Sequence, residues 1–264
     1  MEKITAEHAE ILCKNILIIY KQEACGACDR VVSEIEKQNL SYVKQNRDEV
    51  TETHFTPNQL IIVVGGDGTI LRMAHYMKHS SYLLTVNSAP GRTEGFLTRT
   101  SCNEFAEFFT QFKAGELHFT KYPTLSISVN GEKLPRTALN EISISALKPY
   151  LMFVFERNGV IQKSSGILTA TPLGSTAWAL SAGGDSMPIK TNKNIKEFQF
   201  VIREPYHGNI YTVPEVKGIV ETFKCTSLSE GMIVFDSIDK EFKIHPHDTL
   251  TVEFADTSVA IIEK

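Results

Sequence analysis

Leu60-Ile61-Ile62-Val63-Val64 runs directly into Gly65-Gly66-Asp67-Gly68-Thr69, and the chain then places Ile70, Leu71, Ala74 and Met77 at helical spacing over Thr69 to Lys78. Five consecutive apolar residues match a strand buried on both faces, the habit of parallel sheets flanked by helices. A strand, a glycine turn and an amphipathic helix in that order make an α/β unit. Three glycines in four positions allow close approach to a ligand and φ > 0 without a Cβ clash. The helix start adds free N–H groups and the positive dipole end, a seat for phosphate. An acid inside such a turn is a poor phosphate ligand, because like charges repel. Asp67 reads instead as a base, a water-mediated magnesium ligand or the orienter of a hydroxyl. The plainer alternative is a tight turn with Asp67 as helix N-cap.

Outward from this stretch, Ile16 to Tyr20 repeats the buried-strand pattern, and Asp29 to Gln38 carries Val31, Val32 and Ile35 at helical spacing. Tyr82 to Asn87 predicts a third strand. Cys102 to Lys113, with Phe105, Phe108, Phe109 and Phe112, predicts a helix ending near Gly115. From about Lys121 the period shifts from 3.6 to 2: Leu125, Ile127 and Val129 alternate with polar residues. Asn130-Gly131 and Asn158-Gly159 are hairpin turn signals. Further strands are expected at Leu151 to Glu156, Phe198 to Ile202, Met232 to Phe235, Phe242 to Ile244 and Leu250 to Phe254, with one helix at Ser175 to Ser181. The expected organisation is an α/β domain over residues 1–116 and a β-rich, sandwich-like domain over 117–264.

The chain has 264 residues, 42% hydrophobic and 22% charged, with a formal net charge of -4. That composition is ordinary for a globular protein, and the charge gives no general attraction to nucleic acid or an anionic membrane. No apolar run approaches the roughly 20 residues that span a bilayer. The N-terminus shows neither a secretory nor a transit pattern, so a cytoplasmic protein is expected. Five cysteines, an odd number, do not form a disulfide framework. Cys25-Gly26-Ala27-Cys28 reads either as two thiols in a strand-to-helix connection or as a redox-sensitive pair. His245-Pro246-His247 reads as a solvated turn, with a metal pair as the sharper alternative.

No Walker-type phosphate loop and no protein-kinase signature is present. The glycine-rich pentapeptide is shared by NAD kinases, diacylglycerol- and sphingosine-type lipid kinases and, more loosely, phosphofructokinases. Ala138-Leu139-Asn140-Glu141-Ile142 and Thr169-Ala170-Thr171-Pro172-Leu173-Gly174-Ser175-Thr176-Ala177-Trp178-Ala179-Leu180-Ser181-Ala182-Gly183-Gly184 resemble the two long motifs of the NAD kinase family. Together with the pentapeptide and Gly95-Phe96-Leu97, the resemblance spans most of the chain in the expected order. Asn87-Ser88, Gly91 to Gly95, Gln162 to Gly166 and Ile202-Arg203-Glu204-Pro205 resemble the branch of mitochondrial and related bacterial members.

The resemblance implies an enzyme that phosphorylates the 2′-hydroxyl of the adenosine ribose of NAD with ATP and Mg²⁺, giving NADP. It makes Asp67 the general base or hydroxyl orienter. Gly66, Gly68 and Thr69 would cradle phosphates, with Arg72 one turn on and Phe96 alongside. Asn140 and Glu141 would meet ribose hydroxyls or pyrophosphate-linked groups, an amide giving and accepting while a carboxylate accepts. Thr176, Ala177, Trp178 and Ser181 sit where the family holds base and ribose, Trp178 replacing the usual Tyr. Lys163 stands where many members have Arg, keeping charge without the bidentate fork. Ser165 stands where the family pattern has Asp, which removes a carboxylate expected near the nicotinamide-side ribose. Asp236 resembles a late family Asp or is a turn acid, and Arg203 is a phosphate partner or a structural ion pair. A C-terminal helix returning to the first domain has no room before Lys264. The family implies a homodimer or homotetramer with small-molecule nucleotide ligands. The competing readings are a non-catalytic dinucleotide sensor and a lipid kinase.

Overall fold

The computed structural model describes residues 2–77, 81–189, 196–238 and 240–264. The chain folds as two compact units, residues 1–122 with 259–264, and residues 123–258.

In the first unit the strands are β1 (Glu2–Lys3), β2 (Ile16–Tyr20), β3 (Tyr42–Asn46), β4 (Leu60–Gly65), β5 (Tyr82–Asn87), β6 (Thr100–Ser101) and the start of β7 (His118–Val129). The helices are α1 (Ala6–Cys13), α2 (Cys25–Lys37), α3 (Asp67–Ala74) and α4 (Phe105–Lys113). The central strands run parallel in the order β3-β2-β4-β5. Ile16, Ile18, Leu60, Ile62, Val64, Tyr82, Leu84 and Val86 share one core with Leu12 of α1, Val31 of α2 and the four phenylalanines of α4. The intervening Leu17, Ile19, Ile61, Val63 and Leu83 are equally buried, which is why these strands read as unbroken apolar runs.

Helix boundaries differ from the periodicity at their starts. α2 begins at Cys25 rather than Asp29, so Cys25 and Cys28 lie within its first turn and not in a connection. α4 begins at Phe105 rather than Cys102. α3 begins at Asp67 and ends at Ala74; the expected end at Lys78 lies outside the described residues. The last residues of β18 (Thr249–Glu263) pair in parallel with β5, Ala260 beside Tyr82 and Ile261 beside Leu83.

The second unit is a two-sheet β structure. Its remaining strands are β8 (Glu132–Lys133), β9 (Glu141–Ser145), β10 (Phe153–Arg157), β11 (Val160–Ser164), β12 (Gly166–Ala170), β13 (Phe198–Arg203), β14 (Lys217–Val220), β15 (Phe223–Ser227), β16 (Gly231–Phe235) and β17 (Glu241–Ile244). One antiparallel sheet runs β14-β13-β12-β9-β16-β17 and another joins β11, β10, β15 and the first residues of β18. Ile142, Ile144, Phe198 and Phe200 of the first meet Phe153, Phe155, Phe223 and Leu250 of the second in one core, the arrangement of a sandwich. Both Asn-Gly pairs turn hairpins, with φ of 53° and 87° at Asn130 and Gly131, and 53° and 75° at Asn158 and Gly159. The expected helix at 175–181 is two pieces, a 3₁₀ turn at Gly174–Thr176 and α5 (Trp178–Ser181), broken by irregular backbone at Ala177. Among the described residues no helix is long and apolar enough to cross a membrane.

Candidate active site

Asp67 is the first residue of α3, and Gly66 before it gives no side-chain cap. The helix's first bonds are Thr69 N–H to Gly66 O (2.9 Å) and Ile70 N–H to Gly66 O (3.3 Å), and among the described residues the N–H groups of Asp67 and Gly68 ahead of them have no acceptor, which suits them to an anion. Asp67 is not the helix cap. Its carboxylate turns to another loop: Oδ2 accepts from Phe96 N–H at 3.0 Å and Oδ1 from Leu97 N–H at 2.8 Å. Both oxygens are thereby fixed in direction, with one acceptor position left on each. Gly95 makes this clamp possible, since φ of +66° turns the chain there. A Cβ at Gly95 would stand 2.5 Å from Asn87 Nδ2.

None of Gly65, Gly66 and Gly68, the glycines around Asp67, has positive φ, so left-handed backbone is not what they supply. A Cβ on Gly65 would come 2.7 Å from Thr69 Oγ1, whereas Gly68 faces open space. Thr69 is buried and accepts from Arg47 Nη1 at 3.0 Å. Arg72 is paired with Asp48 at 2.7 Å. Phe96 is half exposed.

The Asn140–Glu141 turn is gripped from two sides by its backbone. Asp236 accepts from Leu139 N–H (2.8 Å), Asn140 N–H (2.7 Å) and Glu141 N–H (3.1 Å). From the Thr-Pro motif, Thr171 N–H donates to Asn140 O at 2.9 Å and Thr171 Oγ1 to Leu139 O at 2.7 Å. Thr171 Oγ1 in turn accepts from Gly174 N–H at 3.0 Å. Gly174 presses on Asn140 so tightly that a Cβ would stand 2.6 Å from its Cα and closer still to its carbonyl. Asn140 and Glu141 are both buried. Burial first, then the charge of Asp236, pushes the Glu141 carboxyl up to about 8, against a smaller lowering by the Ser237 hydroxyl. Burial and the Asp236 charge thus favour the protonated form of the Glu141 carboxyl.

Trp178 packs on Leu168, Ala170, Ala179 and Val201, and the Arg203 guanidinium lies 4.6 Å from its ring centroid. Trp178 and Arg203 line a hollow of about 230 Å³ with Ser143, Ser145, Val234 and Ser237. Ser165 donates to Arg203 O at 3.3 Å and to the Glu204 carboxylate, and Glu204 also lies 3.7 Å from Arg203 Nη2. Lys163 is 5.1 Å from the Tyr206 ring and 5.5 Å from the Tyr211 ring. Thr176 Oγ1 donates to Leu173 O at 3.0 Å, Ala177 breaks the short helix and Ser181 is exposed. His245–Asp248 forms a turn closed by His245 N–H on Asp248 Oδ2, 2.7 Å.

Residues 1–117 match the sequence model of the ATP-NAD kinase N-terminal domain. A rice protein (Oryza sativa subsp. japonica) named Probable NADH kinase is 31% identical over 260 residues, covering 88% of this chain and 78% of its own. The chain belongs to the NAD kinase family. The NAD kinase of Methanosarcina mazei is 30% identical over 218 residues, 80% of this chain and 69% of that protein. Two solved structures share the fold. An NAD kinase from Archaeoglobus fulgidus in complex with ATP has a TM-score of 0.72 at 21% identity, covering 94% of this chain and 92% of that one. A yeast NADH kinase complexed with NADH also scores 0.72, at 16% identity over 95% and 83%.

Within this NAD kinase family member Ser165 has a carboxylate partner. Glu204, held at φ of +39°, brings a carboxylate to the Ser165 hydroxyl. Arg47, Thr171, Gly174 and Ser237 are contributors that sequence reading passed over. Thr171 and Gly174 carried a signal, lying inside the quoted motif, whereas Arg47 sits in an irregular stretch with no pattern around it.

Proposed function

We propose that the chain transfers the γ-phosphoryl group of ATP to the 2′-hydroxyl of the adenosine ribose of NAD or NADH, with Asp67 as the group that accepts or orients the hydroxyl proton. The observation carrying this reading is the Asp67 carboxylate locked by Phe96 and Leu97 N–H at the start of a helix whose first N–H groups are uncommitted. Phosphoryl transfer asks mainly for positioning and charge stabilisation, so a directed carboxylate beside a dipole end is suited to it. Gly66, Gly68 and Thr69 would hold donor phosphates by backbone groups, with Arg72, and Arg47 through Thr69, supplying positive charge. The dinucleotide would be held by Phe96, Asn140, Glu141, Lys163, Ser165, Thr176, Ala177, Trp178 and Ser181. Family membership supports the same reaction.

Magnesium belongs to this reading as an ion carried on the donor's β- and γ-phosphates, whose charge it neutralises. Among the described residues no group of three or more His, Cys, Asp or Glu side chains could cage a metal. Mg²⁺ keeps most of its water and needs only one or two carboxylates beside phosphate oxygens, which Asp67 fits. A homodimer or homotetramer belongs to it as well, supported by the exposed Ile161, Tyr206, Ile210, Val216 and Ile219 of the second unit. Five free cysteines support a reducing, cytoplasmic setting.

The deciding experiment measures NADP or NADPH formation from NAD or NADH with ATP and magnesium, for the wild type and Asp67→Asn. Turnover is expected to fall by about 10²–10⁴ in the variant, the worth of a positioned base, with NAD binding retained. Full activity in Asp67→Asn would remove Asp67 from its role. NAD binding by a wild type inactive with both acceptors would indicate a sensor.

A further inference from the structure

β16 leaves Phe235 through Asp236 and Ser237, two consecutive non-glycine residues with φ of +50° and +56°. Left-handed backbone at L-residues is uncommon and persists where its surroundings hold it. Here the hold is explicit. Asp236 N–H donates to Glu141 O at 2.9 Å, and the Asp236 carboxylate takes the N–H groups of Leu139, Asn140 and Glu141. The Ser237 hydroxyl reaches Glu141 Oε1 at 3.3 Å. The twisted turn thus aims both side chains at one short piece of chain. Glu141 and Asp236 are each 3% exposed, and Glu141 Oε2 is buried without a hydrogen-bond partner. A buried carboxyl oxygen with nothing to bond is a group waiting for a ligand atom.

Burial and the neighbouring Asp236 charge both disfavour ionisation of Glu141, whose carboxyl has one hydroxyl partner and one oxygen without any among the described residues. We propose that Asp236 is a positioning residue that keeps Glu141 neutral, so that Glu141 meets the bound dinucleotide as a hydrogen-bond donor to a lone pair on its nucleoside. This deepens the reading under Proposed function and rests on its placing of Glu141 against the dinucleotide. The balance of charges around Glu141 is simple: among the described residues Asp236 is the charged group acting on it. Its neighbour across the ladder, Ala170, and the clamp formed by Thr171 and Gly174 are uncharged. The carboxyl pushed up to about 8 agrees with this picture.

The test uses the full chain, NAD as the probe and two readouts. Calorimetric NAD affinity between pH 6.5 and 9.5 should hold in the wild type to neutral pH. It should then fall by about tenfold per pH unit above about 8, as the donor is lost. Glu141→Gln, which donates at every pH, should lose the alkaline fall in NAD affinity. Asp236→Asn should bring the fall to lower pH, because Glu141 then ionises more easily. Ser237→Ala, a milder change, should carry it slightly upward. The second readout needs no ligand: carbon-13 NMR of glutamate-labelled protein, the Glu141 signal identified by its loss in Glu141→Gln. A raised midpoint that drops in Asp236→Asn supports the proposal. An ordinary glutamate midpoint overturns it, as does NAD affinity that rises with pH or an alkaline fall that persists in Glu141→Gln. Absence of NAD binding at all pH values would instead sink the dinucleotide reading, while the carboxyl titration still decides the state of Glu141.

Discussion

Replacing Gly174 by alanine tests whether the Thr-Pro motif acts by holding the Asn140 backbone. The added Cβ would stand 2.6 Å from Asn140 Cα and closer to its carbonyl carbon and oxygen. Ordinary carbon contacts begin at about 3.5 Å, so the two segments must separate by roughly 1 Å. All three obstructing atoms are backbone, so no side-chain rotation relieves the clash. Overpacking of this kind costs about 1–3 kcal/mol. The separation also strains Thr171 N–H on Asn140 O and Thr171 Oγ1 on Leu139 O, each worth about 1 kcal/mol. A stability loss of about 2–4 kcal/mol is expected, measured by urea unfolding. A displacement near 1 Å in a positioning group lowers kcat/KM by about 10²-fold, measured by NADP formation at limiting NAD. Gly68→Ala is the internal control: nothing lies within 4 Å of its Cβ and it sits in a helix, so stability should rise slightly. Wild-type unfolding and wild-type kcat/KM in Gly174→Ala would refute the clamp.

Glu263 is bonded by Arg99 at 2.7 Å with both side chains mostly buried, and Arg99 Nη1 also donates to Phe96 O at 2.9 Å, beside the Asp67 clamp. Glu263→Gln is therefore expected to cost roughly 3 kcal/mol of stability and to reduce kcat more than NAD affinity; an unchanged kcat would separate this pair from the clamp. Burial would raise the Glu263 carboxyl, but bonds from Thr120 and Arg99, the Arg99 charge and Tyr122 lower it overall. Its contribution is thus complete above the unfolded value near 4.5 and lost as pH falls below it, a loss that acid unfolding of Glu263→Gln should lack. Glu141 has the opposite sign. Between about 4.5 and 8 the folded state keeps a proton the unfolded state has lost, so Glu141→Gln should gain stability over wild type as pH rises through that window, read by urea midpoints at pH 5 and 8. Cys28 is fully buried and its thiol is pushed up to about 11 by burial, so peroxide at neutral pH should leave activity unchanged, and inactivation prevented by Cys28→Ser would contradict that.

Elements buried on both faces were legible in the sequence because burial forbids polar residues there: Leu60 to Val64 and Ile16 to Tyr20 are the cases. The two Asn-Gly hairpins were legible because their positive φ values admit few residue types. β3 was missed for the converse reason. Tyr42-Val43-Lys44-Gln45-Asn46 is an edge strand with Val43 exposed, so no apolar pattern marks it. α1 was missed because only Ala9, Leu12 and Cys13 of its eight residues are buried, too few for a clear period. β12 was missed where it runs into the Thr-Pro motif at Thr169 and Ala170, whose chemistry drew the reading away from its pleat.

The site divides along a similar line. Of the proposed site residues, Asp67 could be named because an acid inside a glycine turn is unusual, and Asn140 and Glu141 because they lie in a stretch that resembles a family motif. Their supports could not, since the groups that fix Asp67 are the N–H of Phe96 and Leu97, and those that receive Asp236 are the N–H of Leu139, Asn140 and Glu141. Nearly every residue type offers that N–H, so side-chain identity at the donor records nothing of the bond. What the sequence does record is the steric permission the bonds require, at Gly95 for the turn and at Gly174 for the close approach. A glycine beside a functional motif is thus evidence about a neighbouring backbone, and the two glycine positions are where substitution should injure the site without touching a reacting group.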